Sequence, residues 1–278
     1  MRKFTIGGMS SAPESFPAER LRIVLVGTQH PGNIGSAARA MKTMGFSRLV
    51  LVAPQRFPDP DAYALAAGAN DVLEAAVRVE TLAQAVADCR LVLGCTARSR
   101  RIALDELSPR QGAARSMATA ASGGEVAVVF GRERTGLENE ELQLCHAAIH
   151  IPANPDYSSL NLAAAVQILA YELRLAGTED SAMPAPAPVA ARREHESRSE
   201  PPATHAELEG FFLQLADTLD AIDFHKGRTP ETAMGKFRRL FLRAELDARD
   251  VRLLRGMLAD AKRMADIADG RIAPSHRT

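Results

Sequence analysis

Residues 149–175 read IHIPANPDYSSLNLAAAVQILAYELRL, and the pattern changes character twice within them. A short apolar run, Ala148, Ile149 and Ile151, stops at Pro152, passes through the turn-rich ANPDYSS and becomes an Ala- and Leu-rich helical pattern. The order is strand, polar loop, helix. Ser158 or Ser159 is the expected N-cap, because a hydroxyl accepts a bond from an amide two or three residues on. With Pro152 and Pro155 limiting the backbone, the loop can hold amides, two hydroxyls and an Asn side chain against a small polar ligand. An ordinary strand-to-helix connection would look the same, so the neighbouring segments decide between the two.

Upstream, LRIVLVG (21–27) is a continuous apolar run of the kind buried on both faces of a parallel sheet. TQHPGNIGSAARAMKTMGF follows as loop and helix, and RLVLVAP (48–54) as a second strand. Strand, helix, strand is the signature of an α/β sheet. An Ala-rich helical stretch broken at 68–71, then RVE and a helix over 82–87, lead to LVLGCTAR (91–98), a third long strand. VAVVFGRERTGLENEEL (126–142) is a fourth, running through a Gly-bounded polar loop into an acidic helix start. Glu138, Glu140 and Glu141 there suit the positive end of the helix dipole. Over 177–204 the composition shifts to five prolines and almost no large apolar residue, which predicts a flexible linker. Three segments with apolar residues at three- and four-residue spacing follow and predict helices. The expected organisation is a disordered N-terminus over 1–19, an α/β domain over 20–176, a linker over 177–204 and a small all-α extension over 205–270.

The 278 residues suffice for one large domain or two modest ones. Lys plus Arg (34) equals Asp plus Glu (34), so no global field draws the chain to nucleic acid or membrane, and any such site must be local. Cys89, Cys95 and Cys145 form no C-x-x-C pair, which argues against a disulfide framework or a metal site and for small buried hydrophobes in a reducing cytosol. The first twenty residues lack an apolar leader, and no run approaches membrane-spanning length. The expectation is a cytoplasmic protein with no membrane or metal partner.

Three polar loops follow apolar runs: GCTAR, FGRERTG and IPANPDYSSLN. Open α/β sheets bind ligands at the carboxyl ends of their strands, so a shared pocket is favoured over three merely solvated loops. Elsewhere, HPGNIGSAARAMKTMG holds G-x-x-G at Gly32 and Gly35, which can simply shape a turn. Neither G-x-G-x-x-G nor G-x-x-x-x-G-K-[ST] occurs, so a dehydrogenase-like nucleotide fold is poorly supported. Asn33 and Arg39 stand in the first turns of a helix otherwise rich in Ala and Met, and Arg132, Glu133 and Arg134 lie between Gly131 and Gly136.

Together, N-x-G-x-x-x-R at Asn33, Gly35 and Arg39, F-G-R-E-x-x-G-L at 130–137, and I-P-x-N-P-x-Y-S-S-L-N-L-A at 151–163 resemble the three motifs of the SpoU/TrmH (SPOUT) RNA 2′-O-methyltransferases. The likeness covers about residues 20–176, with the motifs in the family's order. RIVLVGTQHPGNIGSAARAMKTMG and the later FRRLF and LLRGML look most like the bacterial branch that methylates cytidine or uridine 32 of the tRNA anticodon loop.

The resemblance implies a parallel-sheet SPOUT domain with a C-terminal trefoil knot, working as a homodimer with S-adenosylmethionine. The methyl donor would lie against Cys95, Thr96, Ala97, Gly131, Ile151, Ser158, Ser159 and Leu160, and the helix over 160–175 would pass through the knot. Arg39 carries the central catalytic role in this likeness. A guanidinium is a poor general base, so the first reading has Arg39 orient the 2′-hydroxyl or its phosphate and stabilise developing oxyanion charge. Proton removal by Arg39 is the second. Asn33, Glu133, Ser159 and Asn161 are further catalytic candidates for positioning, and Glu133 could pair with Arg39 or with an arginine of another subunit.

RNA contact is expected from Arg98, Arg100 and Arg101, and from Lys236, Arg238, Arg239 and Arg243 of KFRRLFLR, where Phe237, Leu240 and Phe241 alternate with the charges. A charge run is usually a solvated face; here the alternation predicts one packed side and one side for phosphates. The competing reading is an idle RNA-binding protein that keeps the fold, and the joint presence of Asn33, Arg39, Glu133 and Ser159 counts against it. Methylation at a different tRNA or rRNA site is the other alternative.

Overall fold

The computed structural model describes residues 17–97, 104–154, 156, 159–178, 200–226 and 229–272. Ser158, Arg98, Arg100, Arg101, most of the expected linker and residues 1–16 lie outside them. Residues 17–19, included in the expected disordered N-terminus, are placed, and Ala18–Arg20 forms a short 3-10 turn.

Seven parallel strands build the sheet: β1 (Leu21–Val26), β2 (Arg48–Val52), β3 (Val77–Val79), β4 (Cys89–Thr96), β5 (Glu106–Leu107), β6 (Glu125–Phe130) and β7 (Ala147–His150). Their spatial order is β3-β2-β1-β6-β4-β7-β5, so β1 sits where the winding of the chain reverses direction. The core helices are α1 (Pro31–Thr43), α2 (Pro60–Ala66), α3 (Asn70–Glu74), α4 (Leu82–Val86), α5 (Pro109–Ala121), α6 (Asn139–Gln143) and α7 (Leu162–Ala176). Because side chains alternate across a strand, each central strand feeds two cores. Ile23, Leu25, Leu93 and Val128 pack with Ala37 and Met41 of α1 and Val166 and Leu169 of α7. Val24, Val26, Val92 and Val129 pack on the other face with Val86 of α4 and Leu142 of α6. Continuous apolar strands are what burial on both faces demands.

Three local expectations change. Gly32 and Gly35 shape no turn; both lie inside α1. A Cβ at Gly35 would stand 2.0 Å from the Ala62 carbonyl oxygen, so this glycine exists to let α2 lie against α1. Helix α7 begins at Leu162, and its N-cap is Asn161, not Ser158 or Ser159. The Asn161 Oδ1 accepts from the Ala163 and Ala164 amides at 2.9 and 3.4 Å. Helix α5 and the edge strand β5 are additions to the elements expected from the sequence. Ser108 and Gln111 close a capping box at the start of α5, Ser108 Oγ accepting from Gln111 N (3.3 Å) and Gln111 Oε1 from Ser108 N (2.9 Å).

The extension comprises α8 (His205–Ala221), α9 (Pro230–Ala244) and α10 (Ala248–Ala268) around Phe211, Phe212, Leu215, Leu219, Val251 and Leu258. It rests on the sheet domain through Ala206 N, which donates to Ala87 O at 3.0 Å, and His205 Nε2, which donates to Leu144 O at 3.1 Å. The last residues of the expected linker are packed. Ala203 is buried and donates its amide to Leu246 O at 2.9 Å, and Thr204 caps α8.

Candidate active site

Three loops meet at the carboxyl rim of the central strands, and the residue that joins them is Glu133. The loop after β6 folds back tightly: Arg132 N donates to Gly136 O (3.2 Å) and Gly136 N to Arg132 O (2.8 Å). A Cβ at Gly131 would lie 2.1 Å from the Gly136 carbonyl carbon, so the turn closes only over a glycine. Arg132 is turned inward and gives its Nη1 to both Glu141 oxygens at 3.0 Å, which clamps the loop to α6. Gly27, at φ 58°, leaves room for that guanidinium, since a Cβ there would sit 2.8 Å from Arg132 Nε.

With the turn held this way, the Glu133 carboxylate reaches the loop between β1 and α1. It accepts from Gln29 N (3.0 Å), His30 N (3.1 Å) and Asn33 Nδ2 (3.0 Å). Asn33 Oδ1 in turn accepts from Asn161 Nδ2 at 3.0 Å, while Asn161 Oδ1 caps α7. One chain of bonds thus ties the β1, β6 and β7 loops together. Partial burial alone would raise the Glu133 pKa, but the side-chain donor Asn33 and the Gln29 and His30 amides hold it below the usual carboxylate range. The carboxylate is an anionic anchor at the start of a helix, and of the two pairings offered for Glu133 the one with Arg39 of the same chain is replaced by these donors.

Beside this network lies a pocket of about 140 Å³. Cys95, Thr96, Ala97, Gly131, Ile151, Ser159 and Leu160, seven of the eight residues expected around the cofactor, line it, and the eighth, Ser158, lies outside the described residues. Phe130, Arg132, Arg134, Thr135, Gly136, Leu162 and Ala165 of the same wall were not singled out as site residues from the sequence. Those from 130 to 136 fall inside the motif at 130–137, Leu162 inside the motif at 151–163 and Ala165 two residues past it, so the motif spacing held the signal. Burial pushes the Cys95 thiol up to about 12, which keeps it protonated at neutral pH. Among the described residues no group of three His, Cys, Asp or Glu could hold a metal ion, and no helix is long and apolar enough to cross a membrane.

Arg39 does not line this pocket. It is exposed on α1 and has no ion-pair partner among the described residues. On α9, Lys236, Arg239 and Arg243 are exposed, whereas Arg238 is drawn into the extension. Its guanidinium binds both Glu209 oxygens and lies 4.4 Å over the Phe212 ring, so its charge is paired within the extension.

The SpoU rRNA Methylase family matches residues 20–171, and the tRNA methyltransferase TrmJ C-terminal domain matches residues 206–270. A tRNA (cytidine/uridine/adenosine-2′-O-)-methyltransferase TrmJ of Pseudomonas aeruginosa (strain UCBPP-PA14) is 46% identical over 250 residues, 89% of this chain and 95% of that one. A tRNA (cytidine/uridine-2′-O-)-methyltransferase TrmJ of Yersinia enterocolitica is 49% identical over 243 residues, 87% of this chain and 91% of that one. Among solved structures, TrmJ from Z. mobilis ZM4 aligns with a TM-score of 0.71 at 34% identity, covering 86% of this chain and 97% of that one.

Proposed function

The chain belongs to the SpoU methylase family, and from that premise we propose that it is a tRNA ribose 2′-O-methyltransferase that uses S-adenosylmethionine and acts on cytidine or uridine 32 of the anticodon loop. The observation that carries the reading is the bond chain Gln29/His30–Glu133–Asn33–Asn161, which seats all three motif loops around one pocket. The tRNA assignment follows the names of the full-length relatives and the matched C-terminal domain. The pocket fits the proposed donor in kind: apolar Phe130, Ile151 and Leu162 suit an adenine ring, and Thr96, Thr135 and Ser159 offer hydroxyls to its polar groups. S-adenosylmethionine, when bound, supplies a methyl group already made electrophilic by its sulfonium.

What remains for the protein is alignment and charge. Cys95, Thr96, Ala97, Gly131, Ile151, Ser158, Ser159 and Leu160 would hold the donor, and the Glu133–Asn33–Asn161 chain keeps the pocket wall and the start of α1 in one register. Arg39, exposed and without an ion-pair partner among the described residues, grips the substrate: its planar fork binds the phosphate next to the reacting ribose and stabilises negative charge developing on the 2′-oxygen as it attacks the methyl and gives its proton to the neighbouring phosphate or to solvent water. Ser159 and Asn161 position the ribose. We assign the chain a homodimeric state and a knotted carboxyl region, with α7 as the threaded segment.

The test is transfer of labelled methyl from S-adenosylmethionine to unmodified tRNA, with mapping of the product. Label at the ribose of position 32 is the expected result. Binding of tRNA without methyl incorporation overturns the reading in favour of an idle RNA-binding protein.

A further inference from the structure

A second cavity, of about 510 Å³, opens between α9 and the opposite, amino-terminal rim of the sheet. From the extension come Lys236, Arg239 and Arg243, at i, i+3 and i+7 and therefore on one face of the helix. From the sheet domain come Asp105, just before β5, and His146, just before β7. The rotation of α9 that aims these cations inward is set by its other face. Arg238 is clamped to Glu209, Phe241 packs edge-on to Phe211 with ring centroids 4.8 Å apart, and Phe237 packs on Phe224 at 5.9 Å. At its end, Glu245 pairs with Arg115 of α5 at 3.4 Å.

Three cations facing one carboxylate leave the cleft with a positive surplus, and among the described residues none of Lys236, Arg239 and Arg243 has an ion-pair partner. His146 adds a neutral donor. Its Nδ1 accepts the Val92 amide at 3.0 Å, which leaves the ring proton on Nε2. Burial, followed by the neighbouring His205 and Arg115, pushes its pKa down to about 3, so the ring stays neutral. Leucine side chains from both walls, Leu240 among them, give the cleft an apolar surface against which a base can lie. The volume falls in the range of small-ligand sites, ~300–1,000 Å³.

We propose that this cleft holds one phosphate and its nucleoside from the backbone of the RNA substrate, at a point remote from the methylated ribose. The inference rests on the tRNA-methyltransferase reading. The guanidinium forks of Arg239 and Arg243 take the phosphate oxygens, His146 Nε2–H and Asp105 address the sugar or base, and the leucines cover the ring. His146 and the pocket residue Ile151 stand at opposite ends of β7, about 16 Å apart at ~3.3 Å per residue. The RNA therefore has to reach both rims of the sheet, and the extension acts as one wall of a composite site.

The test compares full-length wild type with the Arg239→Gln/Arg243→Gln chain, in tRNA binding from 50 to 200 mM salt and in methyl transfer. Losing that one phosphate contact lowers the salt slope by roughly 0.7–0.9, so between 50 and 200 mM salt the affinity of the double variant is expected to fall by about 2.6- to 3.5-fold less than that of wild type. Its KM for tRNA rises more than its kcat falls. A Lys226→Gln/Arg78→Gln chain, two exposed cations outside the cleft, controls for general charge and keeps the wild-type slope. A double variant with wild-type slope and KM overturns the cleft, as does a control pair that lowers the slope equally. Titration with cytidine monophosphate and with inorganic phosphate separates the sources of the phosphate. Binding of either that depends on Arg239 and Arg243, with the tRNA slope unmoved, reassigns the cleft to a free ligand and overturns the RNA contact. If wild type binds tRNA with the cleft-dependent slope but transfers no methyl, the cleft stands and the methyltransferase reading fails.

Discussion

Replacing Glu133 by Gln removes a charge from the centre of the loop network while keeping the shape of the side chain. The carboxylate accepts from Gln29 N, His30 N and Asn33 Nδ2 at 3.0–3.1 Å, whereas the Gln amide nitrogen must face at least one N–H donor. Hydrogen bonds to a charged partner contribute ~1.5–3 kcal/mol each, but the site is partly solvated and Gln retains one acceptor oxygen, so about 1–2 kcal/mol is the expected net loss at neutral pH. For a chain of this size that corresponds to a melting shift of roughly 2–8 °C. The pH dependence follows from the sign of the shift. Glu133 is held below its ordinary pKa when folded, so its contribution is complete above the unfolded value, ~4.3, and disappears as pH falls through the folded one. Denaturant unfolding of both chains at pH 7 and at pH 3.5 should show a gap at the first and a smaller one at the second, narrowing further as pH falls. A gap that persists unchanged into acid, or none at pH 7, refutes the view that a charged anchor holds these loops. Turnover should fall with the geometry, by ten- to a hundredfold, since a displacement of ~1 Å can cost about that much.

Three further outcomes follow from the structure. Gly35→Ala forces a methyl against the Ala62 carbonyl 2.0 Å away and should destabilise the sheet domain by about 1–3 kcal/mol, read as a lower denaturant midpoint; an unchanged midpoint would remove the close-packing role. Arg39→Ala should abolish methyl transfer with S-adenosylmethionine affinity little changed, and Arg39→Lys should also be poor because it loses the planar fork; near-normal turnover by the alanine variant excludes Arg39 from the reaction. Truncation after Ala176 should leave a folded domain that still binds the methyl donor, because the buried apolar clusters of the sheet and of the extension share no member, while tRNA affinity and its salt dependence both drop; equal affinity and slope would confine the extension to packing.

The sheet was legible because strands buried on both faces must be apolar throughout: 21–27 and 126–130 admit few other readings. The pocket residues were legible through their motifs. What local pattern could not carry was every feature set by a distant partner. Gly35 looks like a turn residue until Ala62 is brought against it. Asn161 outcompetes the neighbouring serines as N-cap because an amide side chain can accept from α7 with its oxygen and donate to Asn33 with its nitrogen, and Asn33 is 128 residues away. Arg238 carries the same sequence signature as Arg239, yet Glu209 and Phe212 claim it and leave its neighbour to the cleft. Helix α5 is a different kind of omission, since Ser108, Pro109 and Gln111 announce its start in the sequence.

The position of Arg39 bears on how labour is divided at the site. Asn33, in the first turn of α1, is locked to Glu133 and through it to the wall of the pocket. Arg39 is six residues further along the same helix, about 9 Å at a rise of ~1.5 Å per residue. A helix held at one end by a three-bond network and along its length by Ala37, Ala38 and Met41 in the core transmits that spacing rigidly. A residue so placed stands outside its own chain's pocket, but it can meet a large substrate whose reacting ribose enters the pocket mouth while an adjacent phosphate stays outside. The expected separation of effects at Arg39, turnover lost and donor affinity kept, follows from this spacing. Glu133, which touches both the pocket wall and α1, is the position where the two should fail together.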